Sequence, residues 1–157
     1  MKWTLIAVGK LRPALREVCD DYLRRLGRHL PVEEREVREA GRAGSPARQR
    51  DEEGKRLLEA LPPSTDVVLL DVGGTEWSSE ALATQLEGWR LAARDRAFVI
   101  GGAEGVSESV RARAATRWSL GPLTLPHELA RVVVVEQLYR AGTILRGEPY
   151  HRGERDA

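Results

Sequence analysis

The sequence predicts an α/β fold in which a mostly parallel sheet is flanked by helices, and two patterns carry that prediction. Short continuous apolar runs, Trp3 to Val8, Asp66 to Asp71 and Ala97 to Ile100, have the length and composition of strands covered on both faces. Between them lie longer stretches whose apolar residues recur at helical spacing. Strands alternating with helices pair in parallel through right-handed crossovers.

Each element follows from its residues. Trp3 to Val8, stopped by Gly9, is the first strand. Leu15, Val18, Cys19, Tyr22, Leu23 and Leu26 then form one apolar stripe of a helix that starts at Pro13 and ends near Gly27 or Pro31. Its other face holds Arg16, Arg24 and Arg25. Val32 to Val37 alternates imperfectly and reads as a short, exposed strand. Ala40 to Pro46 is a loop by its glycine and proline content, with Arg38, Arg42, Arg48 and Arg50 in or around it. Arg48 to Leu61 reads as a charged helix ended by Pro62 and Pro63.

Asp66 to Asp71 is the clearest strand, ended by a turn at Gly73 and Gly74. Leu82, Leu86 and Trp89 define the next helix, with Ser78 or Ser79 as its N-cap. Ala97 to Ile100 is a buried strand running into Gly101 and Gly102, and Ser107 to Ala115 is a short helix. Trp118 to Leu120 reads as a last strand, followed by the uncharged loop Gly121 to Leu125. Pro126 opens a final helix to about Leu145. That helix is apolar over more than one face, as expected of a core helix or of one packed on a second subunit.

Composition sets outer bounds. The chain has 157 residues, 41% of them hydrophobic, so a single domain over residues 1–157 with a sizeable core is expected. The lone Cys19 excludes an intramolecular disulfide framework and a cysteine-built zinc site, and suits a reducing compartment. No apolar run reaches the roughly 20 residues of a membrane helix, so a soluble, cytoplasmic protein is expected. The formal charge of +1 argues against a nonspecific nucleic-acid binder. That balance hides an uneven spread: residues 1–60 carry 14 basic and 11 acidic groups, residues 61–110 carry 3 and 8, and residues 111–157 carry 8 and 5. Of the basic residues 22 are Arg and 3 are Lys, and the planar guanidinium fork suits phosphate recognition.

In open parallel sheets ligands bind at the carboxyl ends of strands. Three loops qualify, after Leu70 and Asp71, after Ile100, and after Leu120. Gly101 and Gly102 let another molecule approach the backbone, or simply make a tight strand-to-helix turn. Neither the dinucleotide fingerprint nor the phosphate loop is present, which disfavours NAD and ATP. The uncharged loop Gly121 to Leu125 offers backbone hydrogen bonds and apolar contacts, which suit an adenosyl group without phosphates, although a plain connection has the same composition. His29 reads as a surface residue. His127 stands one turn before Arg131 on the final helix. Tyr150, His151 and Arg152 put a stacking ring, an imidazole and a guanidinium together, a set suited to RNA unless it is only a solvated tail.

Taken together, Leu69 to Asp71, Ile100 to Gly105, Trp118 to His127, Arg131 to Ala141 and Pro149 to Arg152 resemble the ribosomal RNA large subunit methyltransferase H family of the SPOUT class. The resemblance extends through Met1, Lys2 and Tyr22 to Arg25 over nearly the full length. It implies a single-domain SPOUT fold with a deep C-terminal trefoil knot in about residues 66–150, and a homodimer with the final helix in its interface. The implied activity is S-adenosyl-L-methionine-dependent methylation of N3 of a pseudouridine in 23S ribosomal RNA, at the subunit interface of the assembled ribosome. No metal is needed.

By the same resemblance the methyl donor would sit against Leu70, Gly101, Leu120, Gly121, Pro122, Leu123, Thr124 and Leu125. Tyr150, His151 and Arg152 would orient the target base and phosphate, with His127, Glu104 or Arg131 near the reacting centre. Two features depart from the family pattern: the chain continues as residues 153–157 beyond the usual tail, and Gly73 and Gly74 replace a proline-containing turn. The competing readings are a SPOUT methyltransferase acting on another RNA such as transfer RNA, and a ribosome-binding protein that has lost catalysis.

Overall fold

Six consecutive residues that all avoid water must be covered above and below, and the first strand, β1 (Trp3–Val8), meets that demand from the interior of a sheet. The computed structural model describes residues 1–41 and 44–150. After β1 come α1 (Pro13–Leu26), β2 (Val32–Val37), α2 (Pro46–Ala60), β3 (Asp66–Glu76), α3 (Ser79–Ala92), β4 (Arg96–Ile100), α4 (Glu108–Arg113), β5 (Thr116–Ser119) and α5 (His127–Leu145). The strands stand in the order β2-β1-β4-β3-β5, and every neighbouring pair is parallel.

Side chains alternate across the sheet and divide the core into two layers. Trp3, Leu5 and Ala7 join Cys19 of α1, Leu82 and Leu86 of α3, and Val134 and Leu138 of α5. Ile6 and Val8 point the other way, into a layer with Leu57 of α2 and Val110 of α4. Within the first layer the four tryptophans and the single phenylalanine of the chain form one aromatic network. Trp3 meets Phe98 edge-on at 5.7 Å, and Trp77 lies 5.9 Å from both Trp89 and Trp118. Such geometry adds about 0.5–1.5 kcal/mol per pair beyond area burial.

Two strand expectations are corrected. The stretch Val32 to Val37 is not simply exposed: it is a partly buried edge strand. Its inward carboxylates, Glu34 and Glu36, are neutralised by Arg131 of α5, whose Nη1 lies 3.1 Å and 2.5 Å from them, and by Arg16 of α1 at 2.6 Å and 2.9 Å. Arg131 also donates to the carbonyls of Gly9 at 2.9 Å and Val8 at 3.4 Å. The second correction concerns Gly73 and Gly74, which do not end β3. Leu70 and Thr75 both pair with Trp118, so the strand bulges outward between them and then resumes. A Cβ on Gly74 would lie 2.5 Å from the carbonyl carbon of Arg117, whereas one on Gly73 meets nothing closer than 3.6 Å.

Element ends shift by small amounts with identifiable causes. The second helix starts at Pro46 because Ser45 caps it, its hydroxyl accepting from the Arg48 amide at 3.1 Å. Pro126 is the N-cap of α5, and His127 its first residue. The broad apolar surface of α5 is spent within the chain, against α1, α3 and the sheet. Among the described residues no helix is long and apolar enough to cross a membrane.

Two outcomes follow for stability. Gly74→Ala lowers the urea midpoint by the equivalent of about 1–3 kcal/mol, the usual effect of overpacking, while Gly73→Ala changes it by less than about 0.5 kcal/mol. Arg131→Met leaves Glu34 and Glu36 with Arg16 alone and removes the donors to the Val8 and Gly9 carbonyls, destabilising by about 1–3 kcal/mol, measured by the same titration.

Candidate functional site

Because β3 lies between β4 and β5, its bulge after Leu70 and the loops leaving β4 and β5 come together at one end of the sheet. They enclose a cleft of about 280 Å³, walled by Leu70, Ile100, Gly101, Leu120, Gly121, Leu123 and Leu125. That volume is close to the lower bound of about 300 Å³ for small-ligand sites and far too small for a folded partner. The lining is mainly apolar, with Asp71, Arg111 and His127 as its charged or titratable members. The three segments singled out in the sequence therefore do meet, the first of them as a bulge within β3 and not as a loop after it.

The glycines of the β4–α4 loop serve the turn first. A Cβ on Gly101 would lie 2.5 Å from Val106 Cγ1, and one on Gly102 would lie 2.8 Å from Glu53 Oε1. Gly105, at φ +84°, returns its amide to the Gly102 carbonyl at 3.1 Å. Gly121 is different: at φ +112° it adopts a conformation that favours glycine, and a Cβ there would project into open space. Ser119 Oγ accepts its amide at 3.1 Å and fixes the turn. Beyond it, the amides of Leu123, Thr124 and Leu125 make no hydrogen bond among the described residues. Those donors, together with the leucine side chains, fit an uncharged heteroaromatic ring system such as adenine.

Asp71 supplies the polar end. Its side chain is only 5% exposed, and it accepts from Arg111 Nε and Arg117 Nη1, each at 3.2 Å, and from the Gly73 amide at 3.2 Å. Burial pushes its pKa up, but the Gly73 amide and the Arg117 and Arg111 guanidiniums outweigh burial and hold the carboxyl below its ordinary range. A carboxylate kept ionised at the wall of an apolar cleft can accept hydrogen bonds from hydroxyl or ammonium groups of a bound molecule. In the sequence Asp71 marks a strand end and nothing more. Its position at the carboxyl end of the clearest strand was the available signal, whereas the approach of Arg111 and Arg117 depends on the β3–β5 pairing.

The three candidates for the reacting centre separate. His127 lines the cleft from the first turn of α5, with Nε2 3.9 Å from Glu39 Oε1. Glu104 lies on the exposed outer side of the β4–α4 loop, its carbonyl accepting from Arg50 at 3.4 Å, and is not part of the lining. Arg131 is fully buried in the ion network behind α5 and does not open on the cleft. Of the implied donor contacts, Pro122 and Thr124 belong to the loop without lining the cavity in this structure.

Tyr150 lies elsewhere in the chain. Its hydroxyl bonds Glu136 Oε1 at 3.1 Å and Tyr22 Oη at 3.3 Å, and burial with these two neighbours raises its pKa. Glu136 stands nine residues along α5 from His127, about 14 Å at 1.5 Å per residue. His151 and Arg152 lie outside the described residues. Among the described residues no group of three or more acidic, histidine or cysteine side chains could hold a metal ion.

Comparison with known proteins gives a consistent answer. The family model described as "Predicted SPOUT methyltransferase" matches residues 1–151. A ribosomal RNA large subunit methyltransferase H from Stenotrophomonas maltophilia is 49% identical over 97% of this chain and 99% of its own length. Proteins of the same name from Hahella chejuensis and Anaeromyxobacter are 43% and 46% identical over 97% of this chain, and 99% and 100% of their own lengths. Among solved structures, a probable methylase family protein from Haemophilus influenzae superimposes with a TM-score of 0.56 at 9% identity, covering 94% of this chain and 69% of that one. A probable methyltransferase from Bordetella pertussis gives 0.53 at 15% identity, over 89% and 95% of the two chains; these likenesses show the fold. Membership in a methyltransferase family makes S-adenosyl-L-methionine the cofactor, in agreement with a cleft that offers unpaired backbone donors, apolar walls and one ionised carboxylate. On the sequence match over nearly its whole length, the chain belongs to the SPOUT methyltransferases, in the ribosomal RNA large subunit methyltransferase H family.

Proposed function

We propose that the protein transfers a methyl group from S-adenosyl-L-methionine to N3 of a pseudouridine in 23S ribosomal RNA, within the assembled ribosome at its subunit interface. The observation that carries this reading is the convergence of the β3 bulge and the loops after β4 and β5 on one mainly apolar cleft, in a chain whose relatives are named as ribosomal RNA methyltransferases. Residues that would hold the cofactor are Leu70, Gly101 and Leu120 through Leu125 around the adenosyl part, with Asp71 at the polar end. The bound cofactor supplies an activated methyl group. The protein's own work is to orient the target nitrogen, exclude water and accept the imino proton.

Of the expected proton-handling groups, His127 is the one that lines the cleft, and we assign it that role through Nε2, with the Glu39 carboxylate beside it. Arg131 acts from behind, fixing the helix that presents His127. The trefoil knot over about residues 66–150, the single domain and the cytoplasmic location belong to this proposal. So do the homodimer and the substrate-orienting role of Tyr150, His151 and Arg152. Exposed Val72, Leu123 and Leu129 give a second copy an apolar surface to cover.

Mapping methylated positions in ribosomal RNA from a deletion strain, by mass spectrometry, shows loss of one N3-methylated pseudouridine; loss of a methyl group from transfer RNA instead overturns the substrate assignment. His127→Gln lowers the single-turnover rate on ribosomes by about 10²–10⁴-fold while S-adenosyl-L-methionine affinity, read by calorimetry, stays within about twofold. Asp71→Asn weakens that affinity by about tenfold and removes the acid limb of its pH profile. The sign follows from a folded pKa held below the ordinary carboxylate range: the carboxylate is ionised throughout the neutral range, and the contact is lost only as pH falls through that lowered value.

A further inference from the structure

A second cavity, of about 530 Å³, lies at the carboxyl ends of β1 and β2 and is lined by Gly9, Lys10, Glu36, Val37, Arg38 and Glu39. It borders the cofactor cleft, because Glu39 on its rim faces His127 on the rim of the other, 3.9 Å away. Its charges are unevenly satisfied. Glu36 is engaged by Arg131 and Arg16 and is electrically spent. Lys10 and Arg38 are exposed, and their side chains make no ion pair or hydrogen bond among the described residues. Arg12, at the N-cap of α1 two residues beyond Lys10, is likewise exposed; its amide donates to Glu128 at 2.7 Å and its carbonyl accepts from the Arg16 amide at 2.9 Å, while its side chain makes no ion pair or hydrogen bond among the described residues.

Most other cations among the described residues are paired, which makes unpaired Lys10 and Arg38 on one cavity, with Arg12 two residues along the chain from Lys10, informative. The backbone that carries them is held firmly. The Gly9 amide donates to the Val37 carbonyl at 2.8 Å, and Arg56 donates to the Arg38 carbonyl at 2.7 Å. Glu39 packs over Gly9, where a Cβ would lie 2.5 Å from its carboxylate, and φ +85° turns the chain from β1 towards Lys10. Lys10 and Arg38 thus flank a preformed groove whose Glu39 lies 3.9 Å from His127 of the neighbouring cleft.

We propose that this groove takes the sugar-phosphate backbone of single-stranded RNA next to the target nucleotide, with Lys10, Arg38 and Arg12 on successive phosphates and the target base passing Glu39 to reach His127. This rests on the methyltransferase reading and adds to it the side from which substrate enters. Phosphate contacts position a strand without reading its sequence, so the groove contributes affinity and register and leaves base choice to the cleft. Its contribution is salt-dependent, at about 0.7 in the slope of log affinity against log salt for each phosphate on a single strand.

The test uses full-length protein and purified ribosomes. Lys10→Ala combined with Arg38→Ala, both at exposed positions, leaves the thermal midpoint and S-adenosyl-L-methionine affinity unchanged and raises KM for ribosomes about tenfold, with kcat within twofold. The salt slope of ribosome binding falls by about 1.4, two phosphates at 0.7 each. Restoring charge as Lys10→Arg with Arg38→Lys recovers KM. Co-sedimentation with ribosomes reads the groove without methyl transfer: tenfold weaker binding of the variant supports the groove even when no methylated product forms, which would count against the activity alone. Wild-type KM, affinity and salt slope in the double variant overturn the groove and leave the activity standing.

Discussion

Arg131 connects more of this molecule than any other side chain. A guanidinium with almost no water must be paired, and it finds four acceptors at once: Glu34 and Glu36 of β2 and the carbonyls of Val8 and Gly9 at the end of β1. Those contacts dock α5 against the charged edge strand β2. They also set the height and direction of His127, one turn earlier, and the path of the chain leaving β1. The two neighbouring cavities therefore share a frame, since Glu36 of the ion network lines one and the helix that Arg131 anchors carries His127 into the other.

Architecture was legible in the sequence wherever a single periodicity was at work. Trp3 to Val8, Asp66 to Leu70 and Ala97 to Ile100 announce buried strands because both faces are apolar, and the parallel order follows from the helices between them. Val32 to Val37 misled because its inward residues are carboxylates, and charge on one face looks like exposure until cations from other elements are in place. Gly73 and Gly74 misled for a related reason. Two glycines in a row suggest a turn, but the requirement at Gly74 is space for the backbone of β5, a contact made over forty residues away in the chain.

The site shows the same division. Loop positions at the ends of strands could be read directly, since topology alone brings β3, β4 and β5 together at one end. Roles could not be read from chemical type. His127 and Arg131 share a helix face by spacing, yet one opens on the cleft and the other is sealed behind it. Glu104 sits in the right loop and on its outer side. Conversely, Asp71 gains its importance from Arg111 and Arg117, partners that only the β3–β5 pairing identifies.

The aromatic network has a consequence of another kind. Trp118 forms part of the cleft wall and touches Phe98 and Trp77, which in turn touches Trp89, which reaches Trp3 on the far strand. Every indole of the chain is therefore within one energy-transfer relay that begins at the ligand. The protein carries a built-in optical reporter, in which occupancy of the cleft is read out by the emission of the whole tryptophan set without any added label.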